Sequence, residues 1–405
     1  NGTLTLSGTA ATTTVVGISI GALNIGTGTT FTAAGFALTV SGTTSISGTL
    51  TISSAAGTQF FTGLVTINAE GAWNNSAGAD VTFRGGITHN GTTFTAGTGV
   101  YTFDTSSQAI GGTTAISIPS VTVNGITLTN NTTLTVGTAL SGSGEITQGS
   151  GATLNIGGTS GITTITATAN PNTVNYTSTA AAQTVKGTTY HHLTINKSGQ
   201  IATLGAATTV NGDLTITNGT LDLSTFTANR STAGGTISLA AGTTLVIGGT
   251  NTFPVNYTTV TLDATSTVEY NGTGAQTIAA QNYGNLTSSS TGARTLASSG
   301  TVGVAGTFTP GSNSYTTTGS TINYNAPASQ TVAATSATFS YHHLTLSNTN
   351  TKTAAASLTV NGDLTISGSA AFEGGTSSTH TFLGNWTVNT SAATPFSFIT
   401  ANTLD

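Results

Sequence analysis

The sequence predicts an all-β chain wound as a parallel β-helix (β-solenoid), with rungs of roughly 18–19 residues per turn. Three observations favour this fold. Short stretches alternate apolar and hydroxyl side chains with a period of two, which is typical of strands with one buried face. Related blocks are separated by gaps that differ by about one rung. Only 4% of the 405 residues are charged, whereas roughly 25% is usual in soluble proteins.

The strand pattern begins near the first residues and continues to the last ones. It starts at Leu4 and Leu6, and it recurs clearly at Leu221 and Leu223. No segment has a 3.6-residue apolar period long enough for a helix, and the abundant Gly and Thr are poor helix formers. The strands are separated by only a few residues, which leaves no room for crossover helices. Parallel pairing must therefore come from coiling.

Four blocks carry the same landmarks, an aromatic residue followed by a glutamine and, in three blocks, by a second tyrosine. They are Phe103 with Gln108; Tyr176 with Gln183 and Tyr190; Tyr270 with Gln276 and Tyr283; and Tyr324 with Gln330 and Tyr341. The first aromatics are 73, 94 and 54 residues apart, close to four, five and three rungs. Insertions of whole rungs are what a stacked coil tolerates.

These blocks indicate the organisation of the chain and the role of their residues. We expect one continuous solenoid over residues 1–405, with cassettes of several rungs repeating at the landmarks near 103, 176, 270 and 324, and no separate second domain. The aromatic residues are expected to pack on neighbouring rungs, and each glutamine to occupy a hydrogen-bonded corner. Stacking of the aromatics on sugars is the alternative.

Two further repeats could carry chemistry. Asp213 and Asp363 lie in Asn-Gly-Asp corners, where we expect each carboxylate to accept turn amide hydrogens. The pairs His191-His192 and His342-His343 resemble metal ligands in type. Adjacent residues of a strand point to opposite faces, so one pair is not expected to chelate an ion. The sequence therefore predicts structural roles here, with no metal and no cofactor.

The charge distribution argues against several function classes. The six cations, which nucleic-acid binding would require in clusters, are scattered as Arg84, Lys186, Lys197, Arg230, Arg294 and Lys352. The eleven acids are spread too thinly for a predicted pair of converging catalytic carboxylates, so an enzyme is not expected. No apolar run reaches the ~18–20 residues of a membrane-spanning helix.

The Asn-Gly-x-Leu-Thr-Ile and Gly-Thr-Leu-x-Leu rungs resemble the Gly/Thr/Ser/Asn-rich repeats of large bacterial surface proteins, the haemagglutinin-type and autotransporter adhesins. This resemblance spans nearly the whole chain. It implies a right-handed β-helix and an extracellular, structural or adhesive role, and it transfers no catalytic residue. Because the strand pattern begins at the first residues, we expect no signal peptide in this stretch, and we expect the chain to be a processed product or a piece of something longer.

We therefore expect an extracellular structural protein, a subunit or segment of a self-assembling fibre, sheath or surface layer. Its main partner would be itself, end-to-end or laterally, because it has few of the charges with which soluble β-proteins prevent edge pairing. The alternatives are a glycan-binding adhesin passenger region, an ice-binding protein with Thr-x-Thr arrays, and a β-helical polysaccharide-degrading enzyme. Surface glycans are a second expected class of partner.

Overall fold

The computed structural model describes residues 2–397 and 403–404. These residues are all-β, with no helix among them, and their parallel strands stack as a β-solenoid of about 20 turns, which confirms the predicted fold class. None of the described residues belongs to a helix long and apolar enough for a membrane crossing. The chain divides into two compact units, Asn1–Asp213 and Leu214–Asp405.

The first unit consists of short strands. They are β1 Thr3–Leu6, β2 Ala11–Thr13, β3 Ile18–Ile20, β4 Ala22–Ile25, β5 Thr30–Ala33, β6 Leu38–Val40, β7 Thr44–Ile46, β8 Thr49–Ile52, β9 Gln59–Phe61, β10 Val65–Ile67, β11 Ala72–Asn74, β12 Val81–Phe83, β13 Ile87–His89, β14 Thr93–Thr95, β15 Val100–Phe103, β16 Gln108–Gly111, β17 Ile116–Val123, β18 Thr127–Asn130, β19 Thr133–Ser141, β20 Glu145–Gln148, β21 Thr153–Ile156, β22 Thr159–Ser160, β23 Thr164–Thr166, β24 Thr173–Tyr176, β25 Gln183–Val185, β26 Thr189–Tyr190, β27 His192–Leu204 and β28 Thr208–Val210.

The second unit continues the same pattern. Its strands are β29 Leu214–Asp222, β30 Ala228–Asn229, β31 Gly234–Leu239, β32 Thr244–Ile247, β33 Tyr257–Leu262, β34 Thr267–Tyr270, β35 Gln276–Ile278, β36 Asn282–Tyr283, β37 Asn285–Ser288, β38 Arg294–Leu296, β39 Thr301–Val304, β40 Phe308–Thr309, β41 Tyr315–Thr316, β42 Thr321–Tyr324, β43 Gln330–Val332, β44 His343–Leu346, β45 Thr349–Ala354, β46 Leu358–Val360, β47 Leu364–Glu373, β48 Thr379–Phe382, β49 Trp386–Thr390, β50 Phe396–Ser397 and β51 Thr403–Leu404.

Each rung at the start of the first unit crosses three faces. Face A stacks β1, β4, β7, β10, β13, β16, β18, β20 and β23; face B stacks β2, β5, β8, β11 and β14; face C stacks β3, β6, β9, β12 and β15. In β17, β19 and β27 a single strand runs around the corner between faces B and C, whereas the rungs between β19 and β27 have two separate strands there, β21 with β22 and β24 with β25. The register of β17 shifts between Ile118 and Ser120, where Pro119 has no N–H for the ladder.

The rungs are longer and less regular than the sequence predicts. Thr127 pairs with Glu145, 18 residues further on, but Phe372 pairs with Phe396, 24 residues further on. The predicted period of 18–19 residues is therefore too short. The corners account for the spread, because residues inserted in a loop leave the strand register unchanged.

Alternation along each strand builds the interior. On face B the inward positions stack Phe31 on Leu50 and Leu50 on Trp73, and Trp73 lies 5.7 Å from Phe94 in a nearly parallel ring stack. Trp73 is fully buried. Such side chains contribute about 1.5–3 kcal/mol each when buried, so the apolar column holds the rungs together.

The landmark blocks do not repeat by whole rungs. In the second unit Tyr270 pairs with Ser288, whereas Tyr324 stacks over Val304, which stacks over Tyr283. Tyr270 and Tyr324 thus lie on different faces, and the prediction that their gap equals three rungs is wrong. Each block is built around a corner, and it can be placed at more than one corner of the coil.

The same displacement occurs in the first unit. Phe103 pairs with Val123 of the next rung. Tyr176 pairs with Ile156 of the rung before it, and that position pairs in turn with Val136 and then with Ile118. Ile118 and Val123 lie on the two sides of the corner at Pro119, so Phe103 and Tyr176 are on different faces. The gap of four rungs predicted between them is therefore also wrong.

Candidate functional site

The two tyrosines of each block meet in the interior of the coil. Tyr176 and Tyr190 join their hydroxyls at 3.1 Å. The backbone N–H of Lys186 donates to the Tyr176 hydroxyl at 2.9 Å, and the Tyr190 hydroxyl donates to the carbonyl oxygen of Lys186 at 2.6 Å. Since the proton of Tyr190 is used, Tyr176 donates to Tyr190. The hydroxyls thus close a ring on the N–H and C=O of one residue.

The other two blocks contain the same ring. Tyr270 and Tyr283 close it on Ala279, and Tyr324 and Tyr341 close it on Ala333. Burial raises the pKa of all six phenols, because a phenolate would lose its hydration. The tyrosines therefore remain neutral and satisfy backbone groups that a buried corner would otherwise leave unpaired.

Each glutamine ties its rung to the rung before. The Gln183 side chain accepts from the N–H of Ser178 at 3.0 Å and donates to the carbonyl of Ile156 at 2.8 Å. Ile156 is the residue that pairs with Tyr176. The corresponding carbonyls are those of Ile247 for Gln276 and Val304 for Gln330. The expected hydrogen-bonded corner position of these glutamines is thus present, with a partner that reaches one rung back.

A cation from the following rung completes each block. Lys197 Nζ donates to the carbonyls of Ser178 and Ala181 at 3.0 and 2.8 Å and to Gln183 Oε1 at 3.0 Å. Lys352 Nζ donates to the carbonyls of Ala326 and Ala328 at 2.7 and 2.9 Å. We call each set of two tyrosines, one glutamine and one cation a corner module.

Arg294 fills the same place in the module of Tyr270, Gln276 and Tyr283. Its guanidinium donates to the carbonyls of Tyr270, Gly272 and Ser289 at 2.9, 3.0 and 2.7 Å. Lys197, Arg294 and Lys352 are each fully buried. Within the described residues none of these cations has a carboxylate within ion-pair distance. Backbone carbonyl dipoles therefore take the place of a counter-ion. Burial also removes the hydration of each cation, and this desolvation disfavours the charged form.

Burial shifts the titration of these cations. It lowers the pKa of Lys197 and of Arg294, and it lowers the pKa of Lys352 from 10.5 to about 8. The carbonyl oxygens can accept hydrogen bonds from either ammonium or amine. With a pKa of about 8, the Lys352 ammonium begins to lose its proton close to neutral pH.

This shift predicts a pH dependence of stability. Between about pH 8 and 10.5 the folded protein has lost the Lys352 proton while the unfolded chain retains it, so this group makes stability rise with pH. We expect the urea midpoint of the wild type to rise, relative to Lys352→Met, between pH 7.5 and 9.5. Above about pH 10 the buried tyrosines make stability fall with pH, because their phenols lose protons in the unfolded chain before they do so in the folded protein. Parallel pH profiles of the two proteins would contradict the assignment.

The first landmark block is a partial version of the module. The Gln108 side chain donates to the carbonyl of Phe83 at 3.0 Å, and Phe83 is the residue that pairs with Phe103. Its oxygen accepts from the N–H of Gly86 at 2.8 Å, which also lies in the preceding rung. Phe103 packs against Phe83 with ring centroids 5.5 Å apart. With no hydroxyl on Phe103, the tyrosine ring cannot form here.

The aspartate corners connect rungs through histidine. His343 Nδ1 accepts from the N–H of Asp363 at 3.0 Å and lies 3.5 Å from its carboxylate. The other carboxylate oxygen accepts from the N–H of Asn385 at 2.9 Å. The predicted amide partner of Asp363 is therefore in the next rung and not in its own turn. His192 and Asp213 repeat the first contact at 2.9 Å.

The histidine pairs do not follow strand geometry. The ring centroids of His191 and His192 are 4.3 Å apart, and those of His342 and His343 are 4.4 Å apart. The prediction that they point to opposite faces is wrong, because the first histidine of each pair lies at a corner between strands. In residues 2–397 no group of three or more His, Asp or Glu side chains is placed to hold a metal ion.

The cations of the modules are the residues that sequence reasoning missed. The distance from the glutamine to its cation is 14, 18 and 22 residues in the three modules, so no fixed spacing identifies them. The sequence contains only a weaker signal for these cations, which is their position after the Tyr-Gln blocks. Four of the chain's six cations (Lys186, Lys197, Arg294 and Lys352) follow a Tyr-Gln block within about one rung, and three of these four are the cations of the modules.

Comparisons of the chain with protein-family models, with curated proteins and with solved structures find no match.

Proposed function

We propose that this chain is an extracellular structural protein whose rungs associate laterally into a fibre, sheath or surface layer. The outward side of face B carries the proposal. One row of this face aligns Thr13, Thr32, Thr51, Asn74 and Thr95. No charged residue occurs in the five strands of the face.

Such a face is suited to contact with a second copy. Stacked strands are ~4.8 Å apart, so the hydroxyl groups repeat with the spacing of the rungs on both copies. Soluble proteins normally remain dispersed because their charged surfaces repel one another. Two uncharged faces meet without that repulsion. Hydroxyl and amide groups can also exchange hydrogen bonds across the contact. The face therefore supports lateral association.

Extracellular placement rests on composition and on the resemblance to bacterial surface repeats. The chain has no Cys and no Met, and it therefore lacks the side chains most easily damaged by oxidants. Its polar surface is built from hydroxyl and amide groups. This composition suits a structural element exposed outside the cell.

The test introduces charge on face B. We expect the wild type to form assemblies at high concentration, and the triple variant Thr32→Lys, Thr51→Lys, Thr95→Lys to remain monomeric in sedimentation velocity and negative-stain microscopy. Three aligned lysines on each copy would repel one another across the contact. The effect should weaken at high salt, because screening shortens the range of surface charges.

The matched control places the same charges on face A, as Thr66→Lys, Thr88→Lys, Thr129→Lys, and should still assemble. A wild type that stays monomeric at high concentration would refute lateral association. Equal loss in both variants would exclude face B as the contact. Thermal hysteresis by a monomeric wild type would instead favour ice binding, the alternative that rows such as Thr30 and Thr32 above Thr49 and Thr51 also suit.

A further inference from the structure

An aromatic side chain interrupts the polar outer row of face C. The outward positions of successive rungs in this row are Ser19, Thr39, Phe60, Thr82 and Thr102. Phe60 is partly exposed, although the residues on either side of it along the strand, Gln59 and Phe61, are buried. An outward ring among small hydroxyl residues contributes little to the core.

One side of Phe60 is covered by a fixed cation. The guanidinium carbon of Arg84 lies 5.1 Å from the ring centroid. Arg84 is held there by Asp104 of the next rung, with Nε 2.9 Å from Oδ1. Arg84 follows the carboxyl end of β12, so the contact lies on that side of the ring. The cation–π contact and the ion pair fix the orientation of the phenyl ring.

A depression of about 300 Å³ lies at the amino-terminal side of the same strands. It is lined by Ala55, Gly57, Thr58, Gln59, Phe60, Asp80 and Thr82. Its volume is at the lower end of small-molecule sites. Asp80 is exposed, and one of its carboxylate oxygens accepts from the N–H of Val100 at 2.8 Å. That bond holds the carboxylate while its second oxygen has no hydrogen-bond partner within the described residues.

We propose that this depression binds one sugar residue of a neutral glycan. A pyranose ring has an apolar C–H face, which would pack on the Phe60 ring, whose face carries partial negative charge. Its hydroxyls would donate to the Asp80 carboxylate in charge-assisted hydrogen bonds and exchange hydrogen bonds with Thr58 and Thr82. This inference goes beyond lateral assembly and does not depend on it.

The local charges select the class of sugar. Asp80 and Asp104 place two carboxylates near the ring, and Arg84, the cation that covers the ring, is already paired with Asp104. An acidic sugar would therefore be repelled by Asp80. A neutral sugar needs only acceptors for its hydroxyl protons and an aromatic surface for its C–H face. The site has both.

Saturation-transfer difference NMR on the 405-residue chain tests this proposal, with cellotetraose, mannotetraose and chitotetraose as neutral probes and trigalacturonate as the acidic one. We expect saturation transfer to the C–H protons of at least one neutral probe and none to trigalacturonate. Phe60→Ala and Asp80→Asn should each weaken binding at least tenfold. The asparagine retains an oxygen for the Val100 N–H, so that variant tests the charge alone.

Thr102→Ala is the matched control, because Thr102 occupies the same outer row one rung beyond the depression and should leave binding unchanged. Circular dichroism should show that all variants are folded, since Phe60 and Thr102 are at outward positions of their strands and Asp80 is an exposed residue just before β12. Absence of transfer to all three neutral probes would overturn the proposal. So would binding that Phe60→Ala leaves intact, or a preference for trigalacturonate.

Discussion

Replacement of Gln330 by leucine is expected to lower the free energy of unfolding by about 3–5 kcal/mol. Leucine matches the buried volume but leaves the N–H of Ala326 and the carbonyl of Gly306 without the partner that Gln330 gives them. The carbonyl of Val304 loses one of its two donors and keeps the N–H of Asn325. Each buried group left unpaired costs ~1–3 kcal/mol. The loss should appear in urea denaturation followed by circular dichroism.

The neighbouring residue offers a matched control. Thr331 points outward from the same strand, and Thr331→Ala is expected to change the free energy of unfolding by less than ~0.5 kcal/mol. If Gln330→Leu were as stable as the wild type, the interior of the module would be held by apolar packing alone. The hydrogen bonds of the glutamine would then have no net stabilising effect.

Replacement of Arg294 by methionine is expected to lower the free energy of unfolding by roughly 2–4 kcal/mol. Two effects oppose each other. Methionine removes a buried charge that has no counter-ion, which favours the variant. It also strips the carbonyls of Tyr270, Gly272 and Ser289 of a charged donor, and each such bond stabilises by about 1.5–3 kcal/mol. With three carbonyls against one charge, the loss of hydrogen bonds should win.

Lysine is the informative second substitution at this position, because lysine occupies the same place in the other two modules. Arg294→Lys should recover at least half of the stability that Arg294→Met loses. Urea denaturation of the three proteins under identical conditions provides the measurement. A methionine variant more stable than the wild type would mean that the buried cation is tolerated rather than stabilising.

The fold class could be predicted because its cause is local. A side chain alternation such as Leu221 and Leu223 needs only neighbouring residues to specify an inward face, and the closely spaced strands leave coiling as the way to pair in parallel. The landmarks Tyr176, Gln183 and Tyr190 could be predicted for a similar reason. Their ring and corner form within one rung, so the sequence preserves their order.

The corner of the coil at which each block lies, and the hydrogen-bond partners of the buried cations, could not be predicted in this way. Which residue of the next rung lies over Gln276 depends on how many residues its corners contain, and that number varies without changing the strands. Arg294 reaches its carbonyls only through that register. The carboxylate of Asp363 meets the N–H of Asn385 through the same kind of long-range pairing, which one-dimensional patterns do not encode.

The corner modules affect how the solenoid unfolds. Gln183 reaches back to Ile156, while Lys197 reaches down from the rung that follows, so one module fastens three successive turns. In most repeat proteins a unit is coupled only to its nearest neighbours, and fraying can advance one unit at a time. Here the Gln183 side chain contacts both the turn before and the turn after its own, so loss of the Lys197 turn also exposes the bond of Gln183 to Ile156 to solvent. Amide hydrogens on those turns should therefore exchange together, as one cooperative block.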